Sequence, residues 1–240
     1  MKKINDFAIS PNNKIAFTIF KHEEQPNSLA IIFPGAGYTS QAPLLHYSCG
    51  IYFKKGYDVL QVNYNYPREI IANLSKDDFY SDVESVLKIA LADNTYSNFV
   101  FIAKSMGTIA LSYFITKTEF NNAKSIWLTP LIKRNDVYNA LLNLKNKGLC
   151  IVGGIDPTFD SSKFNDIRTN KNIEPILIEG TNHNLEFEND VIKSIEAISN
   201  IMNNVVKFKD LWLNTDLYLY HPCTVATVAT VQKKEHNPYW

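Results

Sequence analysis

The stretch Phe99-Val100-Phe101-Ile102-Ala103-Lys104-Ser105-Met106-Gly107-Thr108-Ile109-Ala110-Leu111 passes from one apolar run into a second with no loop between them. An unbroken run of Phe, Val and Ile suits a strand buried on both faces. The segment that follows, about 106–117, suits a helix. A strand that turns straight into a helix lifts the side chain at the turn above the sheet. It also leaves the next residue's N–H free to bind an oxyanion. Ser105 occupies that turn, and Met106 supplies that N–H. Small residues are required two positions either side, because strand and helix nearly touch there. Ala103 and Gly107 meet the requirement. Taken alone, the pattern is also met by a serine that only caps the helix.

Outward from this turn, short apolar runs recur near 28–33, 57–64, 124–129, 148–153 and 174–179. Helical patterns separate them, at about 41–55, from Ser75 to Leu91, at 136–146, and from about Phe187 onward. The Ser75 helix opens on Ser75-x-x-Asp78, which resembles a capping box, and carries Phe79, Val83, Val86, Leu87 and Ala90 on one stripe. Two polar-interrupted segments, about 5–10 and 14–21, read as an N-terminal hairpin turned by Pro11-Asn12-Asn13. Strand and helix in alternation predict an α/β fold: a doubly wound, mostly parallel sheet with helices on both faces. No linker interrupts 1–213, which reads as a single domain. Residues 214–240 read as a C-terminal tail whose near-repeat Thr224-Val225-Ala226-Thr227-Val228-Ala229 has neither helical nor strand amphipathicity.

The chain has 240 residues, with 24 basic and 24 acidic side chains. A balance of zero gives no net attraction toward nucleic acid or anionic lipid. A hydrophobic fraction of 45% excludes a disordered chain. Cys49, Cys150 and Cys223 are odd in number and far apart, which is neither a disulfide framework nor a zinc spacing. No apolar run approaches the ~18 residues of a membrane span. Lys2 and Lys3 lead into polar Asn5 and Asp6 rather than a signal sequence. The expectation is a cytoplasmic protein without metal or cofactor. Its 9 glycines are about half of average usage (~7%), and six of them, Gly35, Gly37, Gly107, Gly153, Gly154 and Gly180, follow or end the strand-like runs. They mark one rim of one sheet, the rim where open parallel sheets bind ligands.

A serine needs a base to take its proton and a third group to orient that base. Of five histidines, only His183 falls in a short loop between the last strand and the last helix, on the rim of Ser105. Asp156, in Gly153-Gly154-Ile155-Asp156-Pro157, lies just past another strand end. Individually His183 is also a surface loop residue and Asp156 a turn former, and Asp160 competes as the acid. The order Ser105, Asp156, His183 is nevertheless that of one convergent triad arrangement. The turn Phe33-Pro34-Gly35-Ala36-Gly37-Tyr38 follows the first central strand and offers the Ala36 N–H as a second oxyanion donor beside Met106. Lys104 and Tyr38 lie near this constellation but name no ligand.

With these residues in view, positions 28–205 resemble a small α/β-hydrolase fold protein. Four places carry the resemblance: Pro34-Gly35-Ala36-Gly37, Ala103-Lys104-Ser105-Met106-Gly107, Gly154-Ile155-Asp156-Pro157 and Asn182-His183. The resemblance implies Ser105 as nucleophile, Asp156 as acid and His183 as base. Pro34 stands where many members carry His, and Ala103 where most carry Gly; neither removes a reacting group. The implied activity is hydrolysis of an ester or thioester of a small or medium acyl substrate, without a cofactor. The interval Pro130–Lys147, where many members insert a cap, holds only enough apolar residues for one helix, which predicts an open cleft. A dinucleotide fingerprint fails, since Gly35-x-Gly37 leads to Ser40 where Gly is needed. The alternative is a non-catalytic binding module on the same fold.

Overall fold

The computed structural model describes residues 1–71, 74–92 and 96–210. Its strands are β1 (Lys2–Ile9), β2 (Lys14–Lys21), β3 (Ser28–Phe33), β4 (Asp58–Asn63), β5 (Asn98–Lys104), β6 (Lys124–Leu128), β7 (Gly148–Gly153) and β8 (Ile173–Ile178). Its helices are α1 (Pro43–Lys54), α2 (Arg68–Ile71), α3 (Lys76–Leu91), α4 (Gly107–Phe114), α5 (Asn135–Leu142), α6 (Ser161–Ile167) and α7 (Val191–Asp210). The strands form one sheet in the order β1-β2-β4-β3-β5-β6-β7-β8. From β4 to β8 every pairing is parallel, and the β1–β2 hairpin joins antiparallel along β4. The segment 214–240 lies outside the described residues.

Alternation along each buried strand sorts the core into two layers. Leu29, Ile31 and Phe33 of β3 face the layer that holds α3, α4, α5 and α6. Ala30 and Ile32 face α1 and α7. The same division separates Phe101 from Val100 and Ile102 on β5, and Trp127 from Ile126 and Leu128 on β6. Both faces of a parallel strand must be apolar when helices cover both, and β7 is buried along its whole length. β8 ends the sheet, is only partly buried, and carries Pro175, a residue tolerated mainly in edge strands.

Element boundaries moved where side chains intervene. The hairpin begins earlier than expected, with Lys2 opposite Lys21 and Ile9 opposite Lys14. The last helix starts at Val191 rather than near Phe187, because Asp190 accepts the Lys193 N–H at 2.9 Å and caps it. α5 ends at Leu142, where the Asn143 side chain donates back to the Asn139 carbonyl at 2.9 Å. Ser75 caps α3 as expected, accepting the Asp78 N–H at 3.0 Å. Chain connectivity turns back between β4 and β5, which lie on opposite sides of β3. The crevice at such a reversal, above the carboxyl ends of β3 and β5, is where an open α/β sheet binds ligands.

Candidate active site

The turn after β5 is tight enough to hold Ser105 at φ 51°, in the left-handed region that non-glycine residues seldom occupy. Such a backbone costs about 1–3 kcal/mol and persists only where its surroundings over-determine it. Here the Ser105 N–H donates to the Leu128 carbonyl at 3.0 Å, and its carbonyl accepts the Thr108 N–H at 2.9 Å. Gly107 permits the close approach behind it. A Cβ there would stand 2.2 Å from the Phe33 carbonyl oxygen.

Asp156 and His183 come from the loops after β7 and β8. Gly153 lets those loops meet, since a Cβ on it would lie 2.5 Å from the carbonyl oxygens of both Thr181 and Asn182. The His183 turn is tied by the Asn182 side-chain oxygen, which accepts the Asn184 N–H at 2.9 Å, and by Leu185 at φ 62°. The outcome is a continuous chain of hydrogen bonds. His183 Nδ1 lies 2.8 Å from Asp156 Oδ2, and His183 Nε2 lies 2.7 Å from Ser105 Oγ. With Nδ1–H directed at the carboxylate, Nε2 is left to accept the serine proton. The Asp156 side chain is 2% exposed and that of His183 31%. Asp156 is therefore shielded while His183 faces the cleft.

Burial alone would raise the Asp156 carboxyl, but hydrogen bonds from His183 and Thr158 outweigh it and hold the group below its usual 3.8. Thr158 donates to Asp156 Oδ1 twice, from its N–H at 2.7 Å and its hydroxyl at 2.8 Å. The sequence reading did not single out Thr158, although a threonine directly after an Asp-Pro pair, two residues on from the Asp, is a local signal for such a turn. Asp160, the competing acid, is turned elsewhere. It caps α6, accepting the Lys163 N–H at 3.0 Å.

Ala36, Ser105 and Met106 line one cavity of about 270 Å³ with Phe79, Ile109 and Leu131. Neither the Ala36 nor the Met106 N–H has an acceptor among the hydrogen bonds of the described residues. Tyr64 donates its hydroxyl to the Pro34 carbonyl and so braces the turn that carries Ala36. Larger hollows of about 490 Å³ between α4 and α5 and about 610 Å³ between α1 and α7 do not reach Ser105. Among the described residues, no cluster of three or more His, Cys, Asp or Glu is placed to hold a metal. No described helix is long and apolar enough to cross a membrane.

No family model matches this sequence, and no curated protein does. Solved structures do. An α/β serine hydrolase without a lid from Xanthomonas campestris superposes with a TM-score of 0.66 at 14% identity, covering 90% of this chain and 97% of its own. A Pyrococcus furiosus esterase gives 0.66 at 14% identity, over 88% and 93% of the two chains. An α/β serine hydrolase homologue from Coxiella burnetii gives 0.64 at 11% identity, over 86% and 97%. This chain has the α/β-hydrolase fold. The mostly parallel sheet with helices on both faces is the one that the alternation of strand and helix along the sequence predicted. Within this α/β-hydrolase fold, Ser105, Asp156, His183, Ala36 and Met106 all stand at the carboxyl rim of the parallel strands.

Proposed function

We propose that this protein is a serine hydrolase that cleaves the ester or thioester bond of a small or medium acyl substrate. The observation that carries the reading is the relay from Asp156 through His183 to Ser105, at 2.8 Å and 2.7 Å, above the sheet reversal. In this reading Ser105 Oγ attacks the carbonyl carbon as His183 Nε2 takes its proton. The Ala36 and Met106 N–H groups bind the carbonyl oxygen as it gains charge, each worth roughly 3–4 kcal/mol. Asp156 steadies the imidazolium without taking its proton. Collapse of the intermediate passes that proton to the leaving alcohol or thiol and leaves the acyl group on Ser105. Water, activated by His183 in turn, releases the acid.

The cavity beside Ser105, at about 270 Å³, suits a group of about nine non-hydrogen atoms if each takes roughly the 30 Å³ of a water. Between β6 and β7 the chain forms only α5 and its connections, which supports an uncapped cleft on a single domain spanning 1–213. A cytoplasmic location belongs to the same reading. A fluorophosphonate probe tests it directly. Wild type is expected to be labelled and Ser105→Ala not, with turnover of p-nitrophenyl esters or acyl-thioesters reduced by about 10⁴–10⁶ in the variant. A folded wild-type protein that resists the probe would instead indicate a binding module.

A further inference from the structure

Lys104, one residue before Ser105, is fully buried, and no other lysine among the described residues is. A buried charge is costly unless its donors are satisfied. A leucine or methionine would fill the end of β5 without that cost. Among the described residues no carboxylate lies within ion-pair distance of the ammonium. It donates to the Thr129 hydroxyl and, at 2.6 Å, to the His183 carbonyl oxygen, and stands 5.0 Å from the centre of the Tyr38 ring. Two oxygens and one aromatic face account for its three N–H bonds.

Each contact belongs to a different wall of the site. Thr129, the residue just past β6, sits at φ 41°, a conformation that is a true outlier for a β-branched residue. It is held there with its hydroxyl on Lys104. The His183 carbonyl belongs to the loop of the candidate base. Tyr38 closes the oxyanion turn, where its carbonyl accepts the Gly35 N–H at 3.0 Å, and its hydroxyl accepts the Leu44 N–H at 3.1 Å.

We propose that the Lys104 ammonium is a positioning residue that pins the His183 loop and the oxyanion turn to the serine elbow. The inference rests on the triad reading above. The titratable groups facing Lys104 are Asp156 from the β7 loop, His183 and Glu186 from the β8 loop, and Tyr38 from the β3 turn. Burial pushes Lys104 down to about 8, against the pull of Asp156 and Glu186. The charge is therefore present below that pH and lost above it, taking one of the three N–H contacts with it.

Lys104→Met preserves length and apolar bulk, and tests the role. Its kcat/KM is expected to fall about 10–100-fold, carried by kcat with KM little changed, as loosened alignment produces. The wild-type profile is expected to decline above about pH 8, where the ammonium is lost. The variant lacks that alkaline limb. Thr129→Val keeps the charge and removes one acceptor, so its alkaline limb moves to lower pH. This second variant serves if Lys104→Met does not fold. A Lys104→Met enzyme that keeps the alkaline limb in its wild-type place would overturn the proposal even if its rate were reduced, and so would an unmoved limb in Thr129→Val. Fluorophosphonate labelling of wild type separates the two levels. Without labelling the triad reading fails; with it, an unchanged profile removes only the role of Lys104.

Discussion

Gly107→Ala concentrates the geometry of the elbow in one methyl group. The added Cβ would stand 2.2 Å from the Phe33 carbonyl oxygen, 2.7 Å from its carbonyl carbon and 2.8 Å from its Cβ. Carbon–oxygen contacts between strands settle at about 3.3–3.6 Å, so the end of β3 and the start of α4 must part by about 1 Å. Overpacking costs about 1–3 kcal/mol. The upper end applies, because the nearest clashing atoms are the backbone of a strand hydrogen-bonded on both sides. At about 2–4 °C per kcal/mol for a chain of this size, Tm should fall by about 6–12 °C. The displacement also separates Ala36 from Ser105, and misplacement of about 1 Å costs on the order of 10² in rate. Gly37→Ala is the control, since a Cβ at Gly37 meets nothing within 4 Å. Scanning calorimetry and the rate of fluorophosphonate labelling read the two effects separately. A Gly107→Ala protein that melts within about 2 °C of wild type and is labelled at its rate would refute the close-approach argument.

Asp156→Asn is expected to cost about 10⁴ in kcat by presenting His183 Nδ1 with an amide. Asp160→Asn should change stability by only a few tenths of a kcal/mol, because Asn caps a helix as well as Asp does; the reverse ranking in steady-state assays would move the acid to Asp160. The Asp156 carboxyl lies below its usual value in the fold, so its stabilising contribution is present above about pH 4 and lost as pH falls through the lowered value. The Tm difference between wild type and Asp156→Asn should therefore narrow as pH drops below about 4, and a gap that widens would contradict the sign. Across a C2–C16 ester series, kcat/KM should peak at short chains, since each CH₂ left in water forgoes about 0.8 kcal/mol. A maximum at about C12 or beyond would mean a deep acyl tunnel.

Much of this architecture is written in local pattern. The apolar runs at 28–33, 98–103 and 148–153 fall on β3, β5 and β7 almost residue for residue, because strands buried on both faces leave no room for polar interruption. The glycines at strand ends announced the rim, and Gly107 and Gly153 are there for contacts that a Cβ would forbid. α6 was not foreseen. It has only seven residues, with Phe164 and Ile167 as its buried pair, too short for a helical period to declare itself. Its cap, Asp160, was weighed as an acid instead, since a capping carboxylate and an orienting one look alike in sequence. Lys104 was visible as a lysine ending an apolar strand. What it touches was not, because Thr129, His183 and Tyr38 are brought together only by tertiary contacts that no period encodes.

The position of β8 has a consequence for how the molecule fails under stress. His183 hangs from the sheet's terminal strand, which has one neighbour, partial burial and a proline among its six residues. Ser105, Met106 and Ala36 hang from β5 and β3, enclosed on both sides. Strands at an edge open sub-globally at lower free energy than those at the centre. Heat or mild urea should therefore detach His183, the proposed base, while the serine elbow and central sheet remain folded. Activity would vanish ahead of the main unfolding transition, and amide exchange along 173–178 would outpace that along 98–104. The proposed chemistry is tethered to the hem of the fabric, and on that reading the inactivation temperature, rather than the melting temperature, sets the working range of the protein.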